Sequence, residues 1–210
     1  MLYRQKRYHI HYYALTQRSF AMTKKRVDIT SFEEDDYLQL LESIKRHMNP
    51  ASNTVLLVDD EKGIRMKVAR DVKAFDPSMV IFEATNGAEA LETLNLIRTK
   101  YDRDPLLIVL DLNMPVMDGW EVIKRLKKEY ESKGKDAGIP IVALSSTSGE
   151  KNGLLSKKSV HEGKSGYTPL VSIAKETCIE KSHYDAIGEK GLLAWLEFFM
   201  TERNPHATHS

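Results

Sequence analysis

Short apolar runs alternate along this chain with longer stretches of helical period, and that alternation constrains the fold more than any other feature. The runs are Thr54–Val58, Val80–Ala84, Leu106–Leu110 and Ile139–Leu144, with a shorter one at Thr177–Glu180. Runs that short and that apolar read as strands buried on both faces. Between them, Gly63–Phe75 carries Ile64, Val68, Val72 and Phe75 on one stripe, Gly87–Tyr101 carries Leu91, Leu94 and Ile97, and Gly119–Tyr130 carries Trp120, Ile123 and Leu126. Ala186–Met200 closes the series with Leu192, Leu193, Trp195, Leu196 and Phe199, and Pro169–Lys175 reads as a short additional helix. Strands that alternate with helices predict a parallel sheet covered on both faces.

The flanks have a different character. Ser31 and Glu34 form a capping box ahead of a helix from Phe32 to Met48, ended by Asn49-Pro50. Leu38, Leu41 and Ile44, with Tyr37 and Met48, fall on one face of it, which serves either packing or dimerisation and docking. Residues 1–26 hold Arg4, Lys6, Arg7, Arg18, Lys24, Lys25 and Arg26, no acid, and interleaved Tyr and His. That composition fits an arm for nucleic acid or a partner, a disordered leader, or an upstream start codon with Met22 as the true initiator; either of the last two is preferred to the first. Ser148–Thr168, rich in Lys, Ser and Gly, reads as a long surface loop. The expected organisation is a disordered leader over 1–30, a helix and linker over 31–53, a domain over 54–203 with an insertion near 148–168, and a tail over 204–210.

Composition removes several classes. A net charge of +1 provides no global field to recruit nucleic acid or membrane. Cys178 is the one cysteine, so no intramolecular disulfide forms, in keeping with a reducing, cytoplasmic setting. No apolar stretch spans a bilayer, and no secretory signal is visible.

The chemistry concentrates at strand ends. Leu106–Leu110 delivers Asp111 at its carboxyl end, where ligands sit in open α/β sheets. Asn113, Pro115 and the Asp118-Gly119 turn follow at once, so the loop is short and stiff. The first strand ends in Asp59-Asp60-Glu61, three acids that repel unless a cation neutralises them. Converged with Asp111, they make a hard-oxygen site suited to Mg²⁺. Ser145 and Ser146 end the fourth strand, and Lys181 follows the last; a hydroxyl and an ammonium there can meet an anion held in the crevice.

From about Thr54 to Arg203 the chain resembles the receiver domain of two-component response regulators. The resemblance rests on Leu56-Leu57-Val58-Asp59-Asp60-Glu61, on the specific segment Asp111-Leu112-Asn113-Met114-Pro115-Val116-Met117-Asp118-Gly119, on Pro140-Ile141-Val142-Ala143-Leu144-Ser145-Ser146, and on Cys178-Ile179-Glu180-Lys181. It implies a doubly wound five-stranded parallel sheet, flavodoxin-like, in the order 2-1-3-4-5, here with an N-terminal helical extension. It implies phosphoryl acceptance on Asp111 from a phosphohistidine, with Lys181 and Ser145 on the phosphoryl oxygens. Mg²⁺ is implied on Asp60 and Asp111, on the Asn113 carbonyl and, mainly through water, on Asp59. Asn113 and Thr147 would flank the path of hydrolytic water. The chain departs from the family pattern at Ser145 for Thr, Cys178 for a switch aromatic, Ser182 for Pro, and in the length between Ser145 and Lys181.

The implied partners are a sensor histidine kinase or histidine phosphotransfer protein and a downstream protein, with a homodimer left open and no DNA-binding domain visible. The expected role is a signalling module or relay, not an enzyme beyond its own phosphotransfer and dephosphorylation. The alternative is a phosphorylation-independent scaffold. A haloacid-dehalogenase-type phosphatase would want Asp where Asn113 stands.

Overall fold

A computed structural model describes residues 31–145, 166–178 and 191–203. Two compact units divide at Glu34 and Asp35; of the first, only the opening of a helix is described. That helix, α1, spans Ser31–His47. The second unit continues with β1 (Thr54–Val58), α2 (Lys62–Phe75), β2 (Val80–Ala84), α3 (Gly87–Tyr101), β3 (Leu107–Asp111), α4 (Gly119–Ser132), β4 (Ile141–Ser145), β5 (Leu170–Ala174), a 3₁₀ turn (Lys175–Cys178) and α5 (Leu192–Arg203).

The strands form one parallel sheet in the order β2-β1-β3-β4-β5. Side chains alternate across it because successive residues of a strand face opposite ways. Val55, Leu57, Leu107, Val109, Val142, Leu144, Val171 and Ile173 enter a core with α1, α2 and α5. Leu56, Val58, Ile108, Leu110, Ile141, Ala143 and Leu170 enter the other, with α3 and α4. The expected doubly wound sheet and its order are therefore present.

Four expectations need correction. Pro169–Lys175 holds no helix and Thr177–Glu180 opens no strand: the fifth strand is Leu170–Ala174, in register with β4 from Ile141 opposite Leu170 to Ser145 opposite Ala174. All five of its residues are buried, so its sequence carries no alternation, and a short buried run cannot be told from a helix by period alone. The Thr177 hydroxyl donates to the Ala174 carbonyl at 2.7 Å and closes the 3₁₀ turn that follows. On α1, the buried ridge is Leu40, Ile44 and Met48, while Leu38 is exposed. Phe75, expected on the stripe of α2, is also exposed, because it ends the helix beyond the edge of the core.

Residues 1–30, the tail 204–210 and nearly all of the expected loop 148–168 lie outside the described residues. The closing helix, expected from Ala186, is described from Leu192.

Candidate functional site

The order of the sheet builds the site. β1 and β3 are neighbours in parallel register, Val58 opposite Leu110, so the residues at their carboxyl ends converge. Asp59 and Asp111 are buried there, 2% and 1% exposed, beside the exposed Asp60. Each of the three offers a carboxylate oxygen within 4.8 Å of the others.

Backbone donors set the carboxylates. The Asn113 N–H donates to Asp111 Oδ1 at 3.1 Å, and the Glu61 N–H donates to Asp59 Oδ1 at 2.8 Å. The turn after β3 is tight enough to demand glycine: a Cβ on Gly119 would stand 2.3 Å from the Asp111 carbonyl oxygen. Asp118 caps α4 by accepting from the Glu121 N–H at 2.8 Å. Val116, in the same loop, holds φ at +69° with its side chain in solvent.

Lys175 completes the site from the far side. It is the first residue after β5, and its Nζ donates to Asp111 Oδ2 at 2.7 Å and to Asp59 Oδ1 at 3.2 Å. Glu61 Oε1 lies 2.8 Å from the same nitrogen. One ammonium thus serves three carboxylates. Burial alone would lower the Lys175 ammonium, but the hydrogen bonds to Asp111, Glu61 and Asp59 outweigh it and hold its pKa above the ordinary range. Each carboxylate receives only a share of that charge. For Asp59, burial outweighs the Glu61 N–H and Lys175, and its carboxyl is pushed up.

The donor set fits a hard divalent cation. It is all oxygen, negatively charged and partly open to water, as Mg²⁺ requires. Asp59 Oδ2 is buried and accepts no directed hydrogen bond, with only the Lys175 ammonium, 3.0 Å away and shared with Asp111 and Glu61, beside it among the described residues.

Of the site residues expected from sequence, Asp59, Asp60 and Asp111 are brought together, and Asn113 is tied to Asp111 through its N–H. Ser145 ends β4 opposite Ala174, and its side chain falls outside the described part. Ser146, Thr147, Lys181 and Ser182 also fall outside it. The lysine that sequence reading missed is Lys175. Its signal was the rule that found Asp111, a polar residue directly after a buried strand, but the strand had been placed too late. Ser172 and Glu176 stand at the same distances along the chain from Lys175 as Cys178 and Ser182 do from Lys181. The Ser172 hydroxyl is buried in β5 without a hydrogen bond among the described residues. Cys178 lies buried in the 3₁₀ turn, where burial pushes its thiol up to about 12.

The chain is similar to several known proteins. The model of the response regulator receiver domain matches residues 55–159, half of the chain and short of β5. The chain is 30% identical over 141 residues to the nitrate/nitrite response regulator protein NarL of Escherichia coli, covering 67% of this chain and 58% of that one. It is 33% identical over 92 residues to a protein-glutamate methylesterase/protein-glutamine glutaminase of Carboxydothermus hydrogenoformans, covering 44% of this chain and 23% of that one. A solved phosphorylated cyanobacterial phytochrome response regulator, RcpA, is 22% identical with a TM-score of 0.45, covering 74% of this chain and 91% of that one.

The chain therefore spans from about a quarter to under two thirds of these curated relatives' length. The methylesterases correct the expectation of a non-enzyme: stretches like this one form part of enzymes, so the resemblance gives no ground for that exclusion. No helix among the described residues is long and apolar enough to cross a membrane. Matched over half its length by that domain, the chain belongs to the response regulator receiver domain family.

Proposed function

We propose that Asp111 accepts a phosphoryl group from a phosphohistidine, and that Lys175 takes the role expected of Lys181. The observation that carries this reading is the bridge from Lys175 Nζ to Asp111 Oδ2 at 2.7 Å and on to Asp59. A carboxylate oxygen of Asp111 attacks phosphorus, the phosphorus–nitrogen bond breaks, and its electron pair returns to the imidazole. Phosphoryl transfer asks a protein mainly for positioning and charge neutralisation. The Asn113 N–H and the stiff Gly119 turn hold the nucleophile. Lys175 exchanges a carboxylate for a phosphoryl oxygen, and the Ser145 hydroxyl supplies a further hydrogen bond.

Asp59, Asp60, Asp111 and the Asn113 carbonyl would hold Mg²⁺, which offsets the negative charge of the acids and the incoming group. Asn113 and Thr147 would border the path of hydrolytic water. The donor in this reading is a sensor histidine kinase or histidine phosphotransfer protein, the setting is the cytoplasm, and the output is contact with a downstream protein or onward transfer in a relay.

The test is incubation of the full chain with a radiolabelled small phosphodonor and Mg²⁺. Label that requires Mg²⁺, is released by hydroxylamine as an acyl phosphate is, and is absent from Asp111→Asn supports the reading. No label on wild type, or equal label on Asp111→Asn, overturns it.

A further inference from the structure

Arg65 is a buried charge that phosphoryl acceptance leaves without a role. It lies in the first turns of α2, only 9% exposed. Its guanidinium turns back beneath the end of β1, where Nη1 donates to the Asp59 carbonyl at 2.8 Å and lies 3.4 Å from the Asp60 carbonyl. On its other edge Nε donates to Glu83 Oε2 at 2.8 Å. Glu83 sits on β2, opposite Leu57 in the register of the sheet. The Asp59 N–H donates to the Ala84 carbonyl at 3.2 Å, so β2 secures the peptide that precedes Asp59 while Arg65 holds the one that follows it.

These contacts bear on cation binding. Asp59 and Asp60 are consecutive residues beyond the end of a strand, where backbone pairing runs out. A carboxylate ligand is only as well placed as the peptide that carries it. Burying a guanidinium is costly unless it is paired and hydrogen-bonded, and here each contact goes to the acidic tip or to the residue that orients the guanidinium. Its positive charge also lies under a cluster of acids with too few cations.

We infer that Arg65, oriented by Glu83, is a positioning residue for the divalent cation held by Asp59, Asp60 and Asp111. It fixes the peptides of two ligands without touching the cation. The inference rests on the proposed Mg²⁺ site, and partners of this outer kind commonly contribute 10–100-fold to metal affinity.

The experiment is calorimetric titration of the full chain with Mg²⁺, and with Mn²⁺ followed by electron paramagnetic resonance, without any phosphodonor. Wild type, Asp60→Asn, Arg65→Met, Arg65→Lys and Glu83→Gln are compared. The expected result is a roughly tenfold weaker Kd for Arg65→Met, with smaller losses for Arg65→Lys and Glu83→Gln. Glu83 is half-exposed, so Glu83→Gln tests the arrangement even if Arg65→Met fails to fold. In labelling assays the Mg²⁺ concentration for half-maximal rate should rise in step with Kd, by more than the maximal rate falls. If folded Arg65→Met and Glu83→Gln bind both ions as wild type does while Asp60→Asn does not, the positioning role is wrong and the site stands. Wild type that binds neither ion removes the site and the positioning role together.

Discussion

Lys175 Nζ and Asp111 Oδ2 lie 2.7 Å apart, joining the end of β5 to the end of β3 across the intervening β4. The protons of the ammonium are shared among Asp111, Asp59 and Glu61. Removing it would leave two buried carboxylates facing each other. Lys175→Met should therefore cost about 3–5 kcal/mol at neutral pH, read as a lower urea midpoint, and the loss should shrink toward acid pH as Asp59, whose carboxyl is raised by burial, takes up its proton. Its labelling rate should fall at least tenfold further than that of Lys181→Met. The reverse ranking would return the role to Lys181.

Asp59 carries a cost of the opposite kind. Burial raises its carboxyl above the ordinary value of 3.8. A carboxyl raised on folding keeps its proton longer in the folded chain, so stability is lost as pH rises through that window. Asp59→Asn should thus gain stability relative to wild type between pH 4 and pH 7, on the order of 1 kcal/mol, in urea titrations without divalent ions. Added Mg²⁺ should reverse the ranking, because ligand at a hundredfold excess over Kd stabilises the protein that binds it by about 2.7 kcal/mol. A variant less stable than wild type at pH 7 without Mg²⁺ would show that Asp59 contributes more as a partner of Lys175 than it costs as a buried charge.

Asp111 was legible in sequence because it and Gly119 are tied by local chain geometry. An apolar run, an acid and a stiff turn announce themselves within a dozen residues. Asp59 and Asp60 were legible for the same reason. The far side of the site was not, because β5 is buried on both faces and its Leu-Val-Ser-Ile-Ala run has neither period 2 nor helical period. Only pairing with β4 identifies it, and pairing is a long-range fact. Arg65 was illegible for a related reason: a basic residue on an amphipathic helix reads as solvated surface until β2 and the tip of β1 are seen to enclose it.

Gly119 provides a sharp test of how closely α4 approaches Asp111. A Cβ there meets the Asp111 carbonyl oxygen at 2.3 Å and Leu112 Cα at 2.9 Å, both backbone. Neither can swing aside as a flexible side chain would, so Gly119→Ala should cost about 3 kcal/mol and slow labelling by displacing Asp111. Gly63, in the first turn of α2, has nothing within 4 Å of its Cβ position. Gly63→Ala should instead stabilise by up to about 1 kcal/mol, with labelling unchanged. Equal thermal shifts in the two variants would contradict the close approach.

Helix α1 lies outside the residues matched by the family, yet its ridge belongs to the core. Ile44 is fully buried, and Leu40 and Met48 flank it one helical turn away on either side. They share a cluster with Val72 and Met79 and with Leu196, Phe199 and Met200 of α5. Lys45 adds an ion pair to Glu202 at 3.2 Å, exposed enough to contribute little. Ile44→Ala should cost about 3 kcal/mol, the usual penalty for emptying a buried aliphatic site, whereas Leu38→Ala, at an exposed position, should shift stability by under about 0.5 kcal/mol. Urea unfolding of both variants should show a single transition. A loss at Ile44 equal to that at Leu38 would mean that α1 rests on the domain without completing its core.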